Sequence, residues 1–325
     1  MLISVLLFAV GLVLLIKGGD WFVDGATGIA KRFNLPDIVV GATVVSIGTT
    51  MPEVMVSTTG ALVGSSAMAY GNAIGSIICN TALIAAISIT CNPGPVNVRS
   101  MKTPVIFFFI SAALYCFASY VLGTFPRWMG FVMLGIFVLY TVLTIRNGIK
   151  HPDDAEDEEE GDEGKPRTLL MELVLLVVGA AVIAVGADLL VKHGQVIALG
   201  LGVPETVVAL LFVALGTSLP ELVTTITSLK SGHASLGVGN VIGANVFNLV
   251  LVSGVSVSIA PFDVPCLNTL LDTGLNMSLV FEIPVMLGVM CLMTVPALLN
   301  KKLSRWQGIT LLGIYAAFCI LQFIL

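Results

Sequence analysis

Gly48-Thr49-Thr50-Met51-Pro52-Glu53 returns 168 residues later as Gly216-Thr217-Ser218-Leu219-Pro220-Glu221. A second match keeps the same offset: Gly71-Asn72-Ala73-Ile74-Gly75 through Asn80 pairs with Gly239-Asn240-Val241-Ile242-Gly243 through Asn248. The correspondence runs without a gap from Val10/Val178 to Asn80/Asn248, and roughly 22 of its 71 paired positions are identical. Self-similarity at a fixed offset marks a duplicated structural unit. Both copies put a glutamate in the middle of an apolar run. A duplicated apolar unit with an acid at its centre is the pattern of a secondary transporter core.

The surrounding chain is built for lipid. Of 325 residues, 57% are hydrophobic and 11% charged, and the mean hydropathy is +1.02. Apolar runs of about 20 residues recur, each long enough to cross roughly 30 Å of hydrocarbon. The net charge of −5 misleads, because nine of the twenty acids lie in Asp153–Glu163. The six cysteines are scattered without a CxxC pair, which reads as packing and not as a metal or disulfide framework. The first run has no basic residue before it and no small-residue cleavage site, so it reads as a retained helix.

Ten spans are predicted, near 2–22, 37–63, 67–91, 103–123, 128–147, 169–191, 205–230, 235–260, 277–299 and 306–324. This gives an all-α membrane protein with a first repeat over 1–149, an acidic linker over 150–168 and a second repeat over 169–325. Five spans per repeat is an odd number, so the second copy enters from the opposite side and the repeats are inverted. With the N-terminus outside, thirteen of the fifteen Lys and Arg fall on the cytoplasmic side and only Arg127 and Lys192 outside. The positive-inside bias therefore places both termini outside and the linker in the cytoplasm. The linker is nearly all Asp, Glu and Gly, a composition that cannot bury a core and reads as a flexible connector.

Glu53 and Glu221 fall near the midpoints of spans 2 and 7, and Asn80 and Asn248 near those of spans 3 and 8. A carboxylate at that depth costs at least ~2.5 kcal/mol. Two structural acids held by hydrogen bonds are the bland alternative, disfavoured because both acids recur in the same motif. Pro52 and Pro220 have no N–H, so the Gly48 and Gly216 carbonyls lose their helical donors. Freed carbonyls beside a carboxylate are ligands for a hard cation. Thr49 and Thr50, like Thr217 and Ser218, lie three and four residues before their glutamate and share its helix face. Asn72, Ser76 and Asn80 form a stripe at i, i+4, i+8, which Ala244 interrupts in the second repeat. The Gly71/Gly75 and Gly239/Gly243 pairs read as close-packing faces. Asp20, Asp188, Asp37 and Glu205 read as helix-end charges, and Glu282 as an interfacial acid that could line an entry funnel.

At these residues the chain resembles the cation/calcium exchanger superfamily, which includes the sodium/calcium exchangers. The family's motifs are G-T-S-x-P-E followed by G-N-x-I-G-S-N-x-x-N, which this chain approaches in each repeat as G-T-T-M-P-E with G-N-A-I-G-S-I-I-C-N and as G-T-S-L-P-E with G-N-V-I-G-A-N-V-F-N. The resemblance implies a prokaryotic inner-membrane antiporter with a midplane Ca²⁺ site built by Glu53, Glu221, Thr49 and Thr217. It implies Na⁺ or supporting positions at Thr50, Ser218, Ser76, Asn80 and Asn248. Ile77 stands where the first repeat of that family usually has Asn, and Ala244 where the second usually has Ser. Asn248 occupies a place that is Asp in some relatives and Asn in others.

Charge gives the expected transport mode. One Ca²⁺ cancels two ionised glutamates, whereas an empty site at −2 is costly to carry through a dry state. The site must refill with Na⁺ or H⁺ before returning, which makes an exchanger and disfavours a passive channel. Longer, more numerous oxygen bonds favour Ca²⁺ over Mg²⁺. H⁺-coupled calcium export is the alternative within the class. An intramembrane acid-dyad hydrolase is the alternative outside it, disfavoured because such a dyad calls for two Asp. No cofactor is expected beyond the transported ions, and no nucleic acid partner; a monomer in the bilayer suffices.

Overall fold

The structure, a computed structural model, describes residues 2–64, 66–150, 168–201, 216–264 and 276–324. The acidic linker, Cys266, Glu205 and the first part of span 7 lie outside the described residues. The chain is helical almost throughout, as backbone in hydrocarbon must be, because only helices and closed barrels satisfy every peptide group internally. In chain order the helices are α1 (Leu2–Phe33), α2 (Asp37–Thr49), α3 (Met51–Leu62), α4 (Ala69–Cys91), α5 (Val98–Leu122) and α6 (Arg127–Lys150). They continue as α7 (Leu169–Gly200), α8 (Leu219–Lys230), α9 (Ala234–Ile259), α10 (Ser278–Asn300) and α11 (Arg305–Ile324). Seven of these are long and apolar enough to cross a membrane, or eight if the bent pair α2 and α3 is one span.

Two helices exceed their expected lengths. Span 1 was expected to end near residue 22, but α1 runs for 32 residues, about 48 Å at 1.5 Å per residue. Span 6 was expected to end near 191, and α7 runs to Gly200. Polar residues suggested earlier ends, yet they are tolerated because they pair along the helix. Lys17 meets Asp20 at 3.6 Å and Lys192 meets Asp188 at 2.9 Å, all four half-exposed or more. Asp20 and Asp188 are therefore not helix-end charges. Lys17 lies inside α1 and Lys192 inside α7, while Lys31 and Arg32 lie in the last turn of α1.

α1 and α7 occupy equivalent places in the two repeats, and they pack against each other antiparallel. A methyl group on Gly11 would meet the Gly186 carbonyl oxygen at 2.9 Å, and one on Gly186 would meet the Gly11 carbonyl oxygen at 2.9 Å. Further along, Gly25 lies against the backbone of Glu172 and Leu176. Only glycine permits that approach. Much of both helices faces outward, whereas α4 and α9 are buried along most of their length. The larger core gathers side chains of α4, α5, α6, α9 and α10, including Phe108, Tyr115, Tyr140 and Phe247. A smaller core joins α1, α2 and α7 through Leu15, Phe22, Val40 and Ile183.

The all-α expectation holds apart from four two-residue strands. β1 (Gly94–Pro95) pairs antiparallel with β4 (Lys302–Leu303), and β2 (Thr124–Phe125) with β3 (Phe262–Asp263). β3 sits 168 residues after β1, so each repeat ties the loop after its central helix to a loop of the other repeat. Among the described residues, five helices also contain a π turn. Those at Asn80–Ala85 and Asn248–Val252 begin at equivalent asparagines. Such turns are frequent at functional sites. Ser46 and Ser253 each follow a π turn and donate back to its first carbonyl, Gly41 at 2.8 Å and Asn248 at 2.9 Å.

Candidate cation site

The site forms where both repeats break a helix. α2 and α3 meet at 45°. The break falls at Thr50, with φ −83° and ψ −3°. Its counterpart Ser218 has φ −89° and ψ 4°, so the two breaks share one backbone conformation, in the sparsely occupied bridge region. Pro52 and Pro220 explain it, since each removes a donor and cannot accept a neighbouring helical turn without distortion. Glu53 and Glu221 consequently sit in the first turn of α3 and of α8, at helix N-termini that favour negative charge.

Both glutamates are fully buried, at 0% exposure. None of their four carboxylate oxygens has a hydrogen-bond partner, and the two carboxylates lie within electrostatic reach of each other. The repeats cross here. α3 packs on the π turn that begins at Asn248, and α8 on the one that begins at Asn80. Thr49 and Thr50 of the first repeat face Glu221 of the second.

Of the nine residues singled out from sequence, six carry buried polar atoms without a hydrogen-bond partner: Glu53, Glu221, Thr50, Ser218, Asn80 and Asn248. Both the amide oxygen and the amide nitrogen are unpartnered in Asn80 and in Asn248. Ser76 is buried. The remaining two bridge the repeats: Thr49 donates to Asn240 Oδ1 at 3.1 Å, and Thr217 to Asn72 Oδ1 at 3.4 Å. Buried polar atoms are ordinarily hydrogen-bonded, so a cluster of orphaned oxygens fits a group of cation ligands. The set is oxygen-rich and suits a hard cation. No group of three or more His, Cys, Asp or Glu that could hold a metal ion occurs among the described residues. A cavity of about 10 Å³ lies at the break, closed on one side by Ala180, Ile183 and Ala184 of α7.

The chain was compared with known proteins. The sodium/calcium exchanger protein family matches residues 3–146 and 171–324. The chain belongs to that family. Sodium/calcium exchanger MaX1 of Methanosarcina acetivorans is 28% identical over 99% of this chain and 99% of its own length. A membrane protein of Methanocaldococcus jannaschii is 33% identical over 95% and 94%. The sodium-calcium exchanger NCX_Mj, soaked with 2.5 mM Na⁺ and 0.1 mM Ca²⁺, superposes with a TM-score of 0.79 at 29% identity, covering 98% of this chain and 97% of that one. Members of the sodium/calcium exchanger family are transporters and not enzymes, which removes the hydrolase alternative.

Several contributors escaped the sequence reading. Ser46 Oγ also lies 2.9 Å from the Asn240 carbonyl oxygen and 3.2 Å from its Oδ1, either of which can take its proton in place of Gly41. It lies seven residues before Glu53, two turns away on the same face, a spacing that could have revealed it. Thr224, Thr225 and Ser228 follow Glu221 along α8 and are buried without partners. Asp37, expected as a helix-end charge, meets His233 Nδ1 at 2.7 Å. Gly239 and Gly243 pack as expected, with a methyl on either meeting the backbone of Ile38 or Ala42. A methyl on Gly71 or Gly75 would meet nothing within 4 Å from beyond its own helix among the described residues, and positions 206 and 210, equivalent to Ile38 and Ala42, lie outside them.

Proposed function

We propose that the protein is an antiporter exchanging Ca²⁺ for Na⁺ at one midplane site. The observation that carries this reading is the pair Glu53 and Glu221, fully buried and within electrostatic reach of each other with all four oxygens unpartnered. Two carboxylates balance one Ca²⁺, with the Thr49 and Thr217 hydroxyls and the freed Gly48 and Gly216 carbonyls completing an oxygen shell. Thr50, Ser218, Ser76, Asn80 and Asn248 offer neutral oxygens around it for Na⁺. Two Na⁺ or two protons neutralise the same charge, so the site returns loaded and crosses the dry state without a net −2.

The architecture that supports this is ten spans in two inverted five-helix repeats, with α2/α3 and the segment ending in α8 as the broken spans. The antiparallel contact of α1 and α7 and the reciprocal β1·β4 and β2·β3 ladders favour inversion. The distribution of Lys and Arg favours external termini, a cytoplasmic linker and insertion in the cell (inner) membrane. Alternating access follows from α1 and α7 moving relative to the remaining helices while the ions stay at the breaks.

The deciding experiment is radiocalcium uptake into proteoliposomes under separately imposed Na⁺ and H⁺ gradients. Stimulation by an outward Na⁺ gradient at equal pH on both sides is the expected result. Stimulation by a pH gradient alone would reassign the counter-ion to H⁺. Uptake that needs no counter-ion would replace the exchanger with a channel.

A further inference from the structure

A second polar cluster lies away from the helix breaks, at the membrane face marked by β2 and β3. Glu282, in the first turn of α10, accepts hydrogen bonds from Ser278 Oγ at 2.7 Å and from Gln322 Nε2 at 3.1 Å. It has no Lys, Arg or His partner among the described residues. Tyr70 of α4 lies within interaction range of Ser119 of α5, of Ser278 and of Glu282, and the Tyr120 hydroxyl, next to Ser119 in the chain, donates to the Leu279 carbonyl, next to Ser278. Tyr70 and Ser119 are each 2% exposed, and neither hydroxyl closes a hydrogen bond. Ser119 and Ser278 both belong to π turns, Phe117–Leu122 and Ser278–Glu282.

A chain of polar groups leads from this cluster inward. The Tyr70 ring lies 5.6 Å from that of Tyr115. The Tyr115 hydroxyl, also buried and unpartnered, lies within interaction range of Ser253. Ser253 in turn donates to the Asn248 carbonyl. The cluster has no repeat copy, because Val238 stands where Tyr70 has its equivalent.

We propose that Glu282, Ser278, Tyr70 and Ser119 form a second cation site, for a monovalent ion, connected to the transport site through Tyr115 and Ser253. One carboxylate and three hydroxyl oxygens make a hard-cation shell. Its single negative charge is matched by a monovalent ion, whereas a divalent ion would leave an uncompensated positive charge beside the buried Tyr70, Ser119 and Ser278. The proposal goes beyond the exchange reading and does not depend on which ions are exchanged.

The test uses the full chain, purified in detergent, with the transport site disabled by E53Q/E221Q. Melting temperature is compared in equal concentrations of sodium, potassium and choline chloride. An ion that binds the folded state raises it in proportion to ln(1 + [L]/Kd). A rise specific to sodium or potassium over choline is expected in E53Q/E221Q, and it should vanish on adding either E282Q or Y70F. Tyr70→Phe keeps the ring against Tyr115 and removes only the hydroxyl, so it decides the matter if E282Q fails to fold. The absence of any ion-specific rise in E53Q/E221Q overturns the proposal. So does a rise that both added substitutions leave unchanged.

Discussion

Thr49 donates a hydrogen bond of 3.1 Å to Oδ1 of Asn240, 191 residues away, and the equivalent pair Thr217 and Asn72 makes the same bond at 3.4 Å. Each repeat thus supplies the threonine of one bridge and the asparagine of the other. Asn240 is fully buried and also has Ser46 Oγ at 3.2 Å from its Oδ1, whereas Asn72 is half-buried and donates to the Glu53 carbonyl at 3.2 Å and to Ser57 Oγ at 2.8 Å. Asn240→Ala orphans buried hydroxyls, at a cost of ~1–3 kcal/mol. It is expected to lower thermal stability and calcium affinity more than Asn72→Ala does. Melting curves and calcium titrations of the two purified variants check the ranking, and equal effects would count against it.

Glu53→Gln and Glu221→Gln should each abolish calcium transport while the protein stays folded. Glutamine keeps the shape and removes one of the two charges that balance Ca²⁺ in a dry site. Several kcal/mol of lost compensation corresponds to at least about a hundredfold drop in rate. Flux at matched reconstitution levels is the measurement, and near-normal flux from either variant would remove the two-carboxylate site.

Sodium coupling is probed at the stripe that the two repeats do not share. Ser76 keeps a hydroxyl where the second repeat has the fully buried Ala244. Ser76→Ala should weaken stimulation of calcium uptake by a Na⁺ gradient more than it weakens calcium binding. Ala244→Ser should maintain or strengthen that stimulation. Uptake into Na⁺-loaded vesicles at clamped pH reads both, and a Ser76→Ala variant with unaltered Na⁺ dependence would exclude this hydroxyl from coupling.

Arg32 and Glu172 clasp the ends of α1 and α7. The guanidinium donates through Nε at 2.7 Å and through Nη2 at 3.1 Å to the two carboxylate oxygens, and the Glu172 side chain is only 6% exposed. Paired, forked bonds of this kind are geometrically specific. Arg32→Gln leaves a buried carboxylate without its partner and should lower the melting temperature by several degrees. Glu172→Gln, which leaves no buried charge, should lower it less. The reverse order in melting experiments would show that the clasp does not hold the pair together.

Most of the site was readable because its causes are local. Glu53, Pro52 and Thr50 fall within four residues, and proline breaks a helix by lacking a donor, whatever surrounds it. The same holds for Glu221, Pro220 and Ser218, and the fixed 168-residue offset tied the two sets together. Ser46 and the α8 hydroxyls were missed because a hydroxyl in an apolar run commonly bonds its own helix, and the sequence does not say which ones lack that bond.

The sequence by itself determined that the chain spans a membrane, that it is duplicated, where its helices break and which acids sit at those breaks. These follow from the length of apolar runs and the chemistry of single residues. Only the tertiary structure decided that Thr49 meets Asn240, that Asp37 meets His233, that α1 and α7 run past their polar residues, and that Glu282 comes within reach of Tyr70. Those pairings bring together segments as much as 212 residues apart. They depend on how helices pack side by side, on glycine contacts such as Gly11 with Gly186 and on widened turns that re-aim side chains, none of which a local pattern encodes.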